Sequence, residues 1–123
     1  MTIPKSTFFN LSEEKKERII EAALDEFAEY TYYKSSVTRI VKKADIAKGS
    51  FYQYFTDKED LYEYIIMMIS EKKMEYMQDI IDKINELEFF DFLRKLYLAG
   101  IKFAQDNPLL NKISNNLYNN TNS

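Results

Sequence analysis

Residues 36–59 read Ser36-Val37-Thr38-Arg39-Ile40-Val41-Lys42-Lys43-Ala44-Asp45-Ile46-Ala47-Lys48-Gly49-Ser50-Phe51-Tyr52-Gln53-Tyr54-Phe55-Thr56-Asp57-Lys58-Glu59, and in them two very short helical patterns meet at a tight turn. Val37, Ile40, Val41 and Ala44 fall at i, i+3, i+4 and i+7, the spacing that places apolar side chains on one helix face. Ser36 precedes them as an N-cap, its hydroxyl able to accept a first-turn N–H. Asp45 tolerates the left-handed conformation that a tight stop demands, so Asp45 to Ala47 suffice for the turn. The second helix starts near Lys48 and points Phe51 and Phe55 inward, leaving Lys48, Ser50, Tyr52, Gln53 and Tyr54 to look elsewhere.

A soluble helix of one or two turns normally shows charges to water. Two outward tyrosines beside a lysine suit a surface that stacks on sugars and thymine methyls while pairing with phosphate. Gly49 costs about 1 kcal/mol of helix stability relative to Ala, and close approach of another backbone, such as a DNA strand, is a reason to tolerate it. The stretch therefore reads as a DNA-binding helix-turn-helix.

The run from Ile40 to Phe55, followed by Asp57-Lys58-Glu59-Asp60-Leu61, resembles the signature of TetR-type transcriptional repressors. Lys48-Gly49-Ser50-Phe51-Tyr52, then Tyr54-Phe55, then Lys58-Glu59 at the next helix start all agree in spacing. The likeness covers Lys15 to Leu61, and continues beyond only as helical layout. It departs in the turn, where the family usually has Gly, an apolar residue and Ser or Thr, whereas Asp45, Ile46 and Ala47 stand here. The hydroxyl missing at Ala47 removes a cap worth about 1 kcal/mol, and Gln53 and Tyr54 stand where His is common.

The resemblance implies an all-α fold: a three-helix DNA-binding head over residues 1–56, then a long connecting helix and an incomplete helical regulatory region over 57–123. It implies a cytoplasmic, sequence-specific regulator, a repressor released from its operator by a small-molecule effector. The partners it implies are double-stranded DNA with a palindromic operator, a second copy in a homodimer, and a small apolar effector. DNA contact falls to Lys48, Gly49, Ser50, Tyr52, Gln53 and Tyr54, with Lys48 and Tyr52 nearest base edges, and to Ser36, Thr38 and Arg39 as phosphate clamps. Lys58 joins them, because a cation at a helix N-terminus is unfavourable without an anion nearby. Met67, Met68, Tyr97 and Phe103 are candidates for the effector pocket, methionine and aromatics being adaptable wall material. The family's dimer-forming helices normally lie beyond the point where this sequence stops. The alternative is a helical interaction module that pairs with a full-length regulator.

Composition bounds the rest. With 46% hydrophobic residues among 123, there is material for one compact core or one small domain plus part of another. Two Gly and two Pro argue for helix throughout. Cysteine and histidine are both absent, which removes thiolate chemistry, the commonest general base and the commonest transition-metal ligand, so neither an enzyme nor a cofactor is expected. The net charge of −3 is unevenly spread. Residues 34–58 carry six cations and two acids, net +4, which leaves −7 elsewhere, as suits a DNA-reading module joined to a regulatory body. The longest apolar stretch, Leu61 to Ile69, is interrupted by Glu63 and falls far short of the ~20 residues that span a bilayer.

Taken in order, residues 1–10 read as a loose arm. Ser12 to Tyr30 reads as a helix with Ile20, Ala23, Leu24, Phe27 and Ala28 inward, while Glu17, Glu21, Asp25 and Glu29 form a solvated face. Ile20, Leu24, Phe27, Ile40, Val41, Phe51 and Phe55 make the expected core of the head. Thr56 to Glu59 reads as a capping box, opening a helix that runs to about Glu88, on the order of 45 Å. Phe89 to Phe103 marks another helix. Asn107-Pro108 starts a short final one carrying Leu110, Ile113 and Leu117, and the polar tail Asn119 to Ser123 reads as disordered.

Overall fold

A computed structural model describes residues 4–121 and shows an all-α protein. The described residues form α1 (Ser6–Phe9), α2 (Glu13–Glu29), a 3-10 turn (Tyr32–Lys34), α3 (Val37–Ala44), α4 (Lys48–Tyr54), α5 (Lys58–Asp82), α6 (Phe89–Asp106) and α7 (Pro108–Thr121).

Local chemistry sets the boundaries. The Ser12 hydroxyl accepts from the Lys15 N–H at 3.3 Å, and Glu13 and Glu14 occupy the positive end of the α2 dipole. The Ser36 hydroxyl accepts from the Arg39 N–H at 3.2 Å, as expected of an N-cap. Asp45 ends α3 at φ 58°, ψ 49°, the left-handed stop that the turn requires. Ala47 opens α4 with no side-chain cap.

The head closes around Phe27 of α2, Ile40 and Ala44 of α3, Phe51 of α4, Phe55, and Leu61 and Ile65 of α5, all buried. The buried stripe of α2 runs through Ile19, Ala22, Ala23 and Phe27, and Ile20 and Leu24 are only partly covered. The stripe is turned from the expected one because α2 packs on α3, α5 and α7 together.

Four expectations are corrected here. The arm is ordered from Pro4 onward, because Phe8 is fully buried with its ring 5.0 Å from Phe55 and 5.5 Å from Tyr64; residues 1–3 lie outside the described residues. Asp57, not Thr56, caps α5: its Oδ1 accepts from the Asp60 N–H at 2.9 Å, and Asp60 Oδ2 accepts in return from the Thr56 N–H at 2.9 Å. A carboxylate is the stronger acceptor at a positive helix end, so the box shifts by one residue. Helix α5 stops at Asp82, about 37 Å long, where Lys83 and Ile84 bond back three residues and Ile84 is left exposed. The final helix continues to Thr121, and residues 122 and 123 lie outside the described residues.

Helix α6 packs on α5, and α7 on α2 and α6. The Phe103 ring lies 5.6 Å from Tyr76, whose hydroxyl donates to Asp106 at 2.8 Å. That bond, with a second from Lys102, holds the Asp106 carboxyl below its usual range. Asn107 precedes Pro108 at the start of α7, as expected, and its amide reaches the Tyr76 hydroxyl and the Phe103 carbonyl.

Helix α7 also reaches the head. Asn116 Nδ2 donates to the Phe27 and Ala28 carbonyls at 3.2 and 2.9 Å, completing the last turn of α2 from outside. Asn116→Ala should therefore lower the unfolding free energy by about 1–2 kcal/mol in a denaturant titration. An unchanged midpoint and slope would mean that water completes this helix end equally well.

Candidate nucleic-acid interface

The outward surface of α3 and α4 is mounted on a buried carboxylate. Glu26, 7% exposed, sits in the last turn of α2 and accepts from the Ser36 N–H at 2.8 Å. It also accepts from Arg39 Nε at 2.9 Å and Nη2 at 2.7 Å. Arg39 donates as well to the Lys34 carbonyl at 2.9 Å and stacks 4.0 Å from the Tyr30 ring centre. The hydrogen bond to Glu26 raises the guanidinium pKa above its ordinary value. Arg39 was expected to clamp phosphate. In the structure its guanidinium pairs with Glu26, since a buried carboxylate without a cation would be costly, while the side chain stays 47% exposed.

Lys58, also expected to meet phosphate, has partners within the chain. Its Nζ donates to the Tyr32 carbonyl at 2.7 Å and the Ser35 carbonyl at 3.1 Å, and lies 4.4 Å from the Tyr32 ring centre. Two carbonyls and an aromatic face supply the negative potential that phosphate was expected to supply. Lys43 pairs with Asp25 at 2.5 Å, which ties α3 to α2 a second time and raises the Lys43 pKa.

On α4, Tyr54 was placed with the outward residues, yet it is only 7% exposed. It follows Phe51 by three residues, on the inner side of a two-turn helix, and Lys15 Nζ lies 5.7 Å from its ring centre. The outward row narrows to Lys48, Gly49, Tyr52 and Gln53, with Ser50 half-buried. Tyr52 is 44% exposed, its ring braced edge-on by Phe51 at 5.0 Å. Lys48 Nζ donates to Thr38 Oγ1 at 3.0 Å, so the starts of α3 and α4 present one joined polar edge with Ser36 beside it. A Cβ added at Gly49 would meet nothing within 4 Å, so no neighbour within the described residues requires the glycine. Lys42 of α3 and Lys34 of the preceding 3-10 turn are exposed.

Sequence reasoning passed over Glu26, although a carboxylate among Ala22, Ala23 and Phe27 breaks the apolar face and was a visible signal. It also passed over Thr7 and Phe8, for which no periodic pattern exists in so short a segment, and gave Lys5 only a possible phosphate contact.

The four effector-pocket candidates are not brought together. A cleft of about 380 Å³ between α5 and α7 is lined by Tyr62, Glu63, Ile66, Met67, Ser70 and Leu117. Met67 lines it. Met68 packs against the core instead, Phe103 is buried beside Tyr76, and Tyr97 is 71% exposed on α6. These three stand on other helix faces, which spacing along the chain did not reveal. Among the described residues no three His, Cys, Asp or Glu side chains could hold a metal ion, and no helix is long and apolar enough to cross a membrane.

Residues 19–65, which span α3, the left-handed turn and α4, match the sequence model of bacterial regulatory proteins of the tetR family. A TetR family transcriptional regulator from Chloroflexus aurantiacus J-10-FL superposes with a TM-score of 0.77 at 43% identity, over 90% of this chain and 51% of that one. Over these residues the chain is similar to TetR-type transcriptional regulators. The fatty acid degradation regulator FadR from Bacillus halodurans is similar over 80% of this chain and 52% of its own, with a TM-score of 0.52 and 29% identity. The fatty acid metabolism regulator protein of Bacillus subtilis (strain 168) is 36% identical over 69 residues, which are 56% of this chain and 34% of that protein. The chain thus spans about half the length of these solved TetR-type relatives and a third of the curated one. The relatives that it matches are described as regulatory proteins and transcriptional regulators.

The two tyrosines of α4 should separate by stability. Tyr54→Ala should cost about 3 kcal/mol or more of folding free energy, as removal of a buried aromatic does; Tyr52→Ala should leave the thermal midpoint almost unchanged. Equal midpoints for both variants would contradict the inward placement of Tyr54.

Proposed function

We propose that this TetR-type chain is a sequence-specific DNA-binding regulator that reads the major groove with α4. The observation that carries the reading is the joined edge of Thr38 and Lys48 with Tyr52 and Gln53 outward beside it, around a glycine that no internal contact explains. Lys48 and Thr38 meet phosphate or sugar, Tyr52 and Gln53 meet base edges, and Gly49 lets a DNA strand approach the helix closely. Ser36 keeps a hydroxyl proton to offer phosphate while its oxygen caps α3. Residues 1–56 do the reading and residues 57–123 the regulation.

The finer reading is a repressor acting as a homodimer on a palindromic operator, since two half-sites raise affinity and specificity together. A small apolar effector in the α5–α7 cleft would release it, the wall there being chiefly Tyr62, Ile66, Met67 and Leu117. Acyl chains are the first class to try, because two of the similar proteins are named for fatty acid regulation. Leu117 lines the cleft one residue from Asn116, which holds the end of α2, so occupancy of the cleft and the setting of the head are mechanically linked. The effector shifts the equilibrium only by its difference in affinity for the two settings.

A second reading draws on α6, whose Phe90, Leu93, Tyr97 and Leu98 are exposed: a helical module that pairs with a full-length regulator. Selection of bound fragments from random duplex DNA at two salt concentrations, with oligomeric state recorded in the same buffer, separates the two. A DNA reader yields a recurring sequence and affinity that falls steeply with salt. Sequence-blind, weak binding would favour the pairing module.

Tyr52→Ala should weaken the selected duplex by about 1–3 kcal/mol and blur its sequence preference; the same loss on every duplex would show that Tyr52 only stacks on the backbone. Gly49→Ala should raise helix stability by up to about 1 kcal/mol and still lower DNA affinity, in a paired melting and binding measurement. Unchanged affinity would remove the close-approach argument.

A further inference from the structure

Helix α4 is poorly equipped to stand alone. It has seven residues, Ala47 provides no side-chain cap, and Gly49 weakens its first turn. Isolated helices below about 12–15 residues are marginal in water. Its last carbonyls also lack intrahelical partners, as at any helix C-terminus.

The N-terminal segment supplies those partners. Lys5 N–H donates to the Tyr54 carbonyl at 2.9 Å, Lys5 Nζ donates to the Tyr52 carbonyl at 2.9 Å, and the Thr7 hydroxyl donates to the Gln53 carbonyl. Three consecutive carbonyls of the reading helix are thus held by residues 5–7. The Lys5 ammonium also sits at the negative end of the α4 dipole, where a cation is favoured. Phe8 anchors the segment between Phe55, which ends α4, and Tyr64 of α5. The family match begins at residue 19, so this segment lies outside it.

We infer that residues Lys5–Phe8 are a splint for the recognition helix: they hold its C-terminal turn from behind and so set how sharply Tyr52 and Gln53 discriminate DNA sequence. Lys5 and Thr7 are positioning residues that act through α4 without touching bases. The inference rests on the DNA-reading role of α4, but the splint itself is measurable without DNA.

The test uses the full chain with Thr7→Val, which removes the hydroxyl without changing charge or size, and with Lys5→Met. Amide hydrogen exchange is followed in α4 and, as an internal control, in α2. Affinity is measured for a selected duplex and for random duplex at two salt concentrations. Both variants should exchange α4 amides about tenfold faster with α2 unchanged, as loss of one hydrogen bond to a short helix implies. Thr7→Val should lower the ratio of selected to random affinity by roughly 3–10-fold at an unaltered salt slope. If the wild type binds no duplex, the exchange data alone decide the splint and the DNA-reading role fails separately. Unchanged α4 exchange in Thr7→Val overturns the splint. So does a Lys5→Met variant that loses affinity equally on all duplexes with a salt slope flatter by about one, which would make Lys5 a phosphate contact.

Discussion

The setting of α3 against α2 depends on one buried carboxylate. A charge in the interior is costly unless it is paired and hydrogen-bonded, and Glu26 meets that condition with donors from a single neighbouring stretch, the Ser36 N–H and the Arg39 guanidinium. Because the carboxylate belongs to the last turn of α2 and its donors to the start of α3, directional bonds hold the approach of the two helices as well as apolar packing. The left-handed Asp45 then carries that orientation into α4, and Lys58 grips the Tyr32–Ser35 turn from the other side. These links help fix how α3 and α4 present Thr38, Lys48, Tyr52 and Gln53 outward.

The helices of the head were legible because each rests on local chemistry: the Ser36 cap, the left-handed stop at Asp45, and the Phe51/Phe55 spacing act within a few residues. The direction of long polar side chains was not. Arg39 and Lys58 look like free cations in sequence, and what occupies them, Glu26 and the carbonyls of Tyr32 and Ser35, lies 13 to 26 residues away. Tyr54 was misplaced because a seven-residue helix has too few positions for its inner face to be read from periodicity. The arm was misread for a related reason, since one buried phenylalanine and three bonds to a distant helix leave no periodic pattern in so short a segment.

Under the proposed function, regulation would rest on how α5 and α7 lie against α2. Asn116 fastens α7 to the end of α2, and the cleft beside it opens between α5 and α7. A ligand that separates those two helices works against the same bonds that complete α2, whereas one held on the exposed face of α6 would have no such lever. Met68, Tyr97 and Phe103 were selected for residue type alone, which distinguishes neither a cleft wall from a core nor a core from an outer face.

The most direct measurement is a backbone amide NMR titration of the full chain with selected duplex DNA, followed residue by residue. The account predicts shifts concentrated at Ser36–Thr38 and Lys48–Gln53, fading as salt rises. Shifts confined to the outer face of α6 around Phe90–Leu98, or none anywhere, would contradict it.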